Sequence, residues 1–367
     1  MKVLYFTRDY TPHDFRFLKA IRENGDDVWY MRLETRNVYE SRALPEGVHT
    51  VDWAFGKEPF DLERNAQAAI AAFRVVFEQL GPDVVHSGPL TDCSWIAAKA
   101  GVHPHTAMSW GFDLGREIET LPGARERAQF ALSQADWFLG DCYMELETAA
   151  DLGYDRSKAT IFPWGIDVER FSPAAGQLRG QISGGGDFLI LSLRTMEPNY
   201  DVETVVRAFL SAVKAEPRMR LILLGDGSQM QLLKEIAAND PDGNKISFPG
   251  RQPNDMLVDY YRSCDLYVSA SIVDGSSVSL LEAMGTGIPV LMSSIPGNLE
   301  WVTDGVNGML FPTRDIRVLS EKMLFCARNP EQIRKYAGAA RALIEEKADW
   351  NKNKQKIHLA YRKACGL

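Results

Sequence analysis

The sequence predicts an α/β protein built from two parallel-sheet domains, and three observations carry the prediction. The chain has 367 residues, too many for one ordinary core and enough for two domains of roughly 150–200 residues each. Apolar strand-like runs alternate with helical patterns in two successive series, as in parallel sheets covered on both faces. Between the series lies Phe162-Pro163-Trp164-Gly165-Ile166-Asp167-Val168-Glu169-Arg170-Phe171-Ser172-Pro173, rich in turn formers and aromatics. The stretch that follows contains Gly184-Gly185-Gly186 and reads as flexible. The expected division is an N-terminal domain over 1–173, a linker over 174–186 and a C-terminal domain over 187–349.

In the first series, strands are expected at 3–6, 27–33, 83–86, 106–110, 137–140 and 160–162. Helices are expected at 15–24, 62–80 and 123–134. In the second, strands fall at 188–193, 221–224, 245–248, 266–270, 288–292 and 308–311, with helices at 202–214, 229–238 and 255–262. Asp201 is suited to cap the first of these helices, with Glu203 favourable in its opening turn.

Composition narrows the class. Apolar content of 45% and charged content of 25% are those of a soluble globular protein. A net charge of −8 argues against an extended nucleic-acid footprint. The opening apolar run is too short for a signal peptide, and no run approaches the ~20 apolar residues of a membrane span. Five scattered cysteines without a CxxC fit reduced thiols in a cytoplasmic protein. Peripheral contact with the cytoplasmic face of a membrane stays open, as does the oligomeric state.

Ligands of parallel sheets collect beyond the carboxyl ends of the strands. In the first domain the loops to inspect are 7–16, 86–91 and 109–113. His13, Asp14 and Arg16 stand at the mouth of a helix, where they either meet substrate or serve as a cap and two solvated side chains. His86 ends an apolar strand and is a substrate contact or a hydrogen-bonded structural histidine. Trp110, before Gly111, packs or stacks on a sugar. His103-Pro104-His105 lacks a nearby cysteine cluster, so no metal site is expected.

In the second domain the informative stretch is Asp274-Gly275-Ser276-Ser277-Val278-Ser279-Leu280-Leu281-Glu282-Ala283-Met284. Gly275 frees the turn, and Ser276 or Ser277 can cap a helix whose first N–H groups lack internal partners. Those groups and the helix dipole suit a phosphate. Eight helical residues span about 10 Å, near the length of a diphosphate, so Asp274 and Glu282 can face opposite ends of a nucleotide-sugar. Arg194, directly after a strand, can hold a diphosphate by paired hydrogen bonds or form a salt bridge. Gly225-Asp226-Gly227 is neither a dinucleotide fingerprint nor a P-loop, and a tight turn explains it. Gly250-Arg251 follows the third strand and can border a nucleobase.

Taken together, the Phe162–Pro173 stretch, Leu281-Glu282-Ala283-Met284-Gly285-Thr286-Gly287-Ile288-Pro289-Val290, Gly297, Glu300 and Asp304-Gly305-Val306-Asn307-Gly308-Met309-Leu310-Phe311 resemble the family-4 retaining glycosyltransferases of the GT-B fold. The resemblance implies two Rossmann-like domains facing an interdomain cleft, the second holding the donor and a final helical stretch, about 350–367, completing the first. It implies two acidic positions eight apart at the donor site. Glu282 fills the second and holds ribose hydroxyls; Asp274, shorter than the usual glutamate, fills the first. The family's phosphate-binding lysine, five residues after its arginine, is Asn199 here. The usual N-terminal glycine pair is absent, leaving His13 and Arg16 as candidates for that place. A common His-Gly reads Trp110-Gly111.

The expected activity is hexosyl transfer from a nucleoside diphosphate sugar, UDP first by family frequency, to a sugar or lipid-linked hydroxyl acceptor, with retention and without a required cofactor or metal. Catalytic roles fall to Asp274, Arg194 and His13. Donor binding falls to Glu282, Gly275, Ser276, Ser277, Val278, Arg251, Arg194 and Asn199. Acceptor or cleft contacts fall to Asp14, Arg16, His86 and Trp110. The competing readings are a nucleotide-sugar epimerase and a catalytically silent sugar-nucleotide-binding partner.

Overall fold

The computed structural model describes residues 1–36, 40–183 and 185–367. Two compact units are present: Met1–Pro163 with Asn351–Leu367, and Trp164–Trp350. Each is an all-parallel sheet with helices between its strands, the Rossmann-like arrangement expected.

The first unit carries β1 (Lys2–Thr7), β2 (Asp27–Arg32), β3 (Val48–Thr50), β4 (Val84–Gly88), β5 (His105–Met108), β6 (Trp137–Gly140) and β7 (Ala159–Ile161). Their order is β3-β2-β1-β4-β5-β6-β7, so the order reverses between β1 and β4. In the register Thr7 lies opposite Arg32 on one side and Gly88 on the other. Val3–Phe6 of β1 and Val84–Val85 of β4 are fully buried and apolar because helices cover both faces, and β4 continues into the buried polar residues His86 and Ser87. The helix Leu62–Leu80 starts on the Asp61 carboxylate, which accepts from Arg64 N, and ends on Gly81 in the left-handed conformation.

The second unit carries β8 (Phe188–Leu193), β9 (Met219–Leu224), β10 (Ile246–Gly250), β11 (Leu266–Ser269), β12 (Val290–Ser293) and β13 (Met309–Phe311), in the order β10-β9-β8-β11-β12-β13. Here the reversal falls between β8 and β11. Loops leaving the carboxyl ends of these two strands therefore share the position where doubly wound sheets hold ligands. Arg194 leaves β8 and Asp274 follows β11.

The division between the units comes at Pro163/Trp164, ten residues before the expected one at 173. Gly165, with φ 62°, runs its backbone against Ala348, whose carbonyl oxygen would lie 2.3 Å from an added Cβ. Ile166 bridges Asp349, and Arg341 donates to the carbonyls of Val168 and Phe171. These contacts are internal to the second unit. Residues 174–183 likewise belong to it rather than to a linker. They contain the helix Arg179–Ile182, and Arg179 forms a two-pronged pair with Asp265 at 3.1 and 3.0 Å. Gly184, counted in that expected linker, lies outside the described residues.

Several helices escaped the sequence pattern, among them Cys93–Ala100, Tyr143–Asp151, Ile316–Arg328 and Pro330–Lys347. Cys93–Ala100 is buried almost all round, so it has no polar face to set a period. Asp201 also differs from expectation. It is the residue before the helix Val202–Ala212, at φ 45°, but its carboxylate accepts from the Thr204 hydroxyl at 2.7 Å instead of a backbone N–H.

Candidate functional site

The loop after β11 and the helix Val278–Thr286 are fastened from several sides within the second unit. Ser293 donates to the Ser271 carbonyl at 2.6 Å, and Ile272 N donates to the Asn199 carbonyl at 2.9 Å. Trp301 Nε1 donates to Ser276 Oγ at 3.2 Å. Gly297 lies so close that an added Cβ would sit 2.4 Å from the Gly275 carbonyl oxygen and 2.5 Å from that of Asp274. Only a glycine lets the segment 296–299 approach this loop.

Arg194 reaches into the same loop. Its Nη1 donates to Ser277 Oγ at 2.8 Å and Ser279 Oγ at 2.9 Å, and its Nη2 to Asp274 Oδ2 at 2.5 Å. Tyr200 lies over the guanidinium, 4.1 Å from the ring centroid. Burial opposes the charge on Arg194; Asp274, with Tyr200 and Tyr267, more than offsets it and raises the pKa above the ordinary arginine value. Arg194 Nε is buried without a hydrogen-bond partner. The loop carrying Arg194 rests in turn on Gly225 and Gly227, where a Cβ would come 2.5 Å from Arg194 O and 2.6 Å from Met196 O. The Gly225-Asp226-Gly227 turn is thus a seat for the arginine loop.

Ser277 precedes the helix, as the sequence reading required, but its hydroxyl accepts from Arg194 and does not cap a helix N–H. The Ser277 side chain therefore leaves the first N–H groups of the helix uncapped, as at an anion site. One turn on, Glu282 is buried, and Tyr261 donates to its Oε2 at 3.1 Å. Tyr267 donates to Ser279 Oγ at 2.8 Å. The second unit so gathers Arg194, Asp274, Ser276, Ser277, Ser279, Glu282 and the Asn199 backbone around one strand-end. Arg251 stands exposed beyond β10, on the far side of β9 from β8. Sequence reading missed Tyr200, Tyr261, Tyr267 and Trp301, because the position of an aromatic along the chain carries no sign of what its ring face or polar tip meets.

The first unit treats its candidates differently. Asp14 is 1% exposed and completes a capping box with Thr11, whose N–H it accepts at 2.8 Å; Tyr5 also donates to it, at 3.1 Å. Burial raises its pKa to about 6, against the pull of those hydrogen bonds. His86 is a core histidine and not an acceptor contact. It is fully buried, with Nδ1 2.6 Å from Tyr361 Oη and Nε2 3.2 Å from Met108 Sδ, and burial lowers its pKa to about 3. Both residues leave the list of substrate contacts because the fold consumes their polar atoms.

His13 and Trp110 remain. Their rings lie 5.6 Å apart, and both are half-buried. His13 Nδ1 is buried without a partner, and burial, then the neighbouring Arg16, lower its pKa to about 4. Its imidazole is neutral at pH 7. Trp110 is set by its backbone, whose N–H donates to Asp113 Oδ1 at 3.0 Å. Asp113 opens a five-residue π-helix, Asp113–Glu117, a form frequent at functional sites. Glu117 at its end takes Arg8 Nη1 at 2.9 Å and Nη2 at 3.1 Å, and Arg8 Nε also pairs with Asp92.

Asp141, Cys142 and Glu145 bring three possible ligand atoms within 4.8 Å of one another, all buried. Glu145 accepts from Ser109 at 2.9 Å and from Asp141 N at 2.6 Å. Burial, Asp141 and Asp113 raise its pKa well above the usual carboxylate value. Two hydrogen bonds already engage the Glu145 carboxyl group in this cluster. Among the described residues no helix is long and apolar enough to cross a membrane.

Comparison with known proteins adds to this geometry. Residues 178–343, all within the second unit, match the family described as glycosyl transferases group 1. The UDP-N-acetylglucosamine–peptide N-acetylglucosaminyltransferase GtfA subunit of Streptococcus pneumoniae is 29% identical over 131 residues, 35% of this chain and 25% of that protein. A GDP-mannose-dependent monoacylated alpha-(1-6)-phosphatidylinositol monomannoside mannosyltransferase of Corynebacterium glutamicum is 22% identical over 95% of this chain and 94% of its own length. The chain thus spans only a quarter of the first relative and nearly all of the second. Among solved structures, HepE of Anabaena with UDP-glucose superimposes with a TM-score of 0.79 at 16% identity, covering 98% of both chains. Sucrose-phosphate synthase of Thermosynechococcus elongatus superimposes with a TM-score of 0.82 at 15% identity, covering 99% of both. At such identities the likeness shows the fold, which is GT-B.

Proposed function

We propose that the protein, whose residues 178–343 match the glycosyl transferases group 1 family within a GT-B fold, transfers a hexosyl unit from a nucleoside diphosphate sugar to a hydroxyl acceptor, with retention of anomeric configuration. The observation that carries this reading is the convergence of Arg194, Asp274 and Glu282 on one loop and one helix start. UDP is the preferred nucleotide, in keeping with the UDP-glucose held by HepE. Lipid-linked or sugar acceptors in glycan assembly are in keeping with the lipid mannoside named for the corynebacterial relative.

As the glycosidic bond breaks, negative charge gathers on the leaving diphosphate, and donors already aimed at it supply the main catalytic contribution. Asp274 compensates much of the Arg194 charge, so more of that work falls to the N–H groups at the start of Val278–Thr286. Asp274 orients the hexose, Glu282 the ribose, and Arg251 borders the base. The acceptor oxygen attacks from the face the diphosphate leaves, and its proton passes to the departing phosphate oxygen. This route needs no covalent enzyme intermediate, cofactor or metal. On the first unit, neutral His13 accepts a hydrogen bond from a substrate hydroxyl beside Trp110, with Arg16 near it. The free cysteines suit a cytoplasmic setting.

Calorimetric titration of UDP-, GDP- and ADP-sugars, with and without Glu282→Ala, tests the donor assignment; unchanged affinity in the variant defeats it. NMR of the product tests retention, and an inverted anomer defeats that part. One observation favours a second reading, a catalytically silent sugar-nucleotide binder. Asn199 brings no charge, and the Arg194 guanidinium is engaged by Asp274, Ser277 and Ser279. Release of free nucleotide only when acceptor is present separates the two.

A further inference from the structure

Glu282 is set by a residue that itself faces no ligand. Tyr261, from the helix Leu257–Ser263, is fully buried, and its hydroxyl lies 3.1 Å from Glu282 Oε2 and 3.1 Å from the Ser279 carbonyl oxygen. A phenol has one proton to donate and two acceptors here. The carboxylate is the stronger, since a hydrogen bond to an ionised acceptor is roughly twice as strong as one to a neutral carbonyl. Around it the ring is locked: Phe171 and Tyr267 stand 6.2 and 5.7 Å away, and Tyr267 fixes the neighbouring Ser279 hydroxyl. A glutamate side chain has three rotatable bonds and reaches a ribose in only a few of its rotamers. One of its oxygens pinned by a rigid phenol selects among them before any ligand arrives.

We propose that Tyr261 is a positioning residue that holds Glu282 in the rotamer that reads the ribose hydroxyls, and so sets discrimination between ribo- and deoxyribonucleotide donors. This rests on the assignment of Glu282 to the ribose. The Ser279 carbonyl gives the Tyr261 hydroxyl an alternative acceptor. When a ribose hydroxyl donates to Glu282 and weakens it as an acceptor, the phenol proton turns to the carbonyl without being left unpaired. The arrangement therefore holds Glu282 firmly in the empty site and releases it at little cost in the filled one.

The test uses the full-length protein and UDP with its 2′-deoxy and 3′-deoxy counterparts as calorimetric probes. The intact protein is expected to bind UDP about tenfold more tightly than the better discriminated deoxy analogue, which is ~1.4 kcal/mol. Tyr261→Phe keeps the ring and removes only the hydroxyl. It is expected to bring the ratio to within about twofold of one, while kcat at saturating donor changes little. Glu282→Asp, which draws the carboxylate back from Tyr261 by one methylene, is expected to lower the ratio likewise and serves if the phenylalanine variant does not fold. A ratio unchanged in Tyr261→Phe but lost in Glu282→Gln overturns the positioning role and leaves the ribose assignment standing. A ratio unchanged in Glu282→Gln overturns both.

Discussion

The strand-ends of the two units treat the residues the sequence singles out differently. In the second unit, Arg194, Asp274, Ser277 and Ser279 hydrogen-bond one another at the mouth of β8 and β11, and Glu282 stands one turn into the adjoining helix. In the first, Asp14 is absorbed into a capping box and His86 into the core, while His13 keeps a buried ring nitrogen without a partner. The difference shows how little a charge at a strand-end says by itself. A carboxylate three residues into a helix has a local use that competes with any ligand. An arginine directly after a strand has none, so it must find a distant partner, and the partner it finds defines a site.

The largest effect that can break the comparison is on stability. Asp274→Ala leaves the guanidinium of Arg194, whose side chain is 10% exposed, without its counter-charge. Losing one partner of such a pair costs about 3–5 kcal/mol, to be read from urea unfolding. Arg194→Met in the same background is expected to recover much of it. If Asp274→Ala is as stable as the parent, the pair is not what holds this loop. Next comes Glu282→Ala, expected to weaken nucleotide-sugar binding about 10- to 100-fold, or ~1.4–2.8 kcal/mol, with little loss of fold.

His86→Phe probes the other side of the comparison through pH. The folded pKa of His86 is about 3 against an ordinary 6.5, so the unfolded chain binds the extra proton and wild-type stability falls as pH drops from about 6.5 toward 3. Removing the histidine removes that fall. Between pH 7 and pH 5 the variant is expected to gain about 2 kcal/mol on the wild type, measured by denaturation at each pH, with donor affinity unchanged. Asp14, whose folded pKa is about 6, acts with the opposite sign: its folded form holds the proton more tightly, so it costs stability as pH rises from about 4 to 6. The smallest effect expected is a few-fold rise in acceptor KM for Trp110→Ala, since one aromatic contact contributes about 1 kcal/mol. An unchanged KM returns Trp110 to a packing role.

Much of the fold was legible. The strands Trp137–Gly140 and Phe188–Leu193 and the helix Leu62–Leu80 fall where pattern placed them, because each is a long periodic or apolar run bounded by turn formers. The division between the units was not, because Gly165 and Arg341 act through partners about 180 and 170 residues away along the chain. Pattern reading has no access to such pairs.

The sequence by itself determined that Arg194, Asp274 and Glu282 sit at strand-ends and a helix start of one parallel sheet, since strand–helix alternation and chain order suffice for that. Only the tertiary structure decided that Asp274 faces Arg194, that Ser277 serves the arginine and not the helix, and that Tyr261 lies behind Glu282. Spacing along a chain sets which residues can share an element. Which polar atoms pair is set by burial, where every donor left without an acceptor costs free energy and the whole neighbourhood competes to satisfy it.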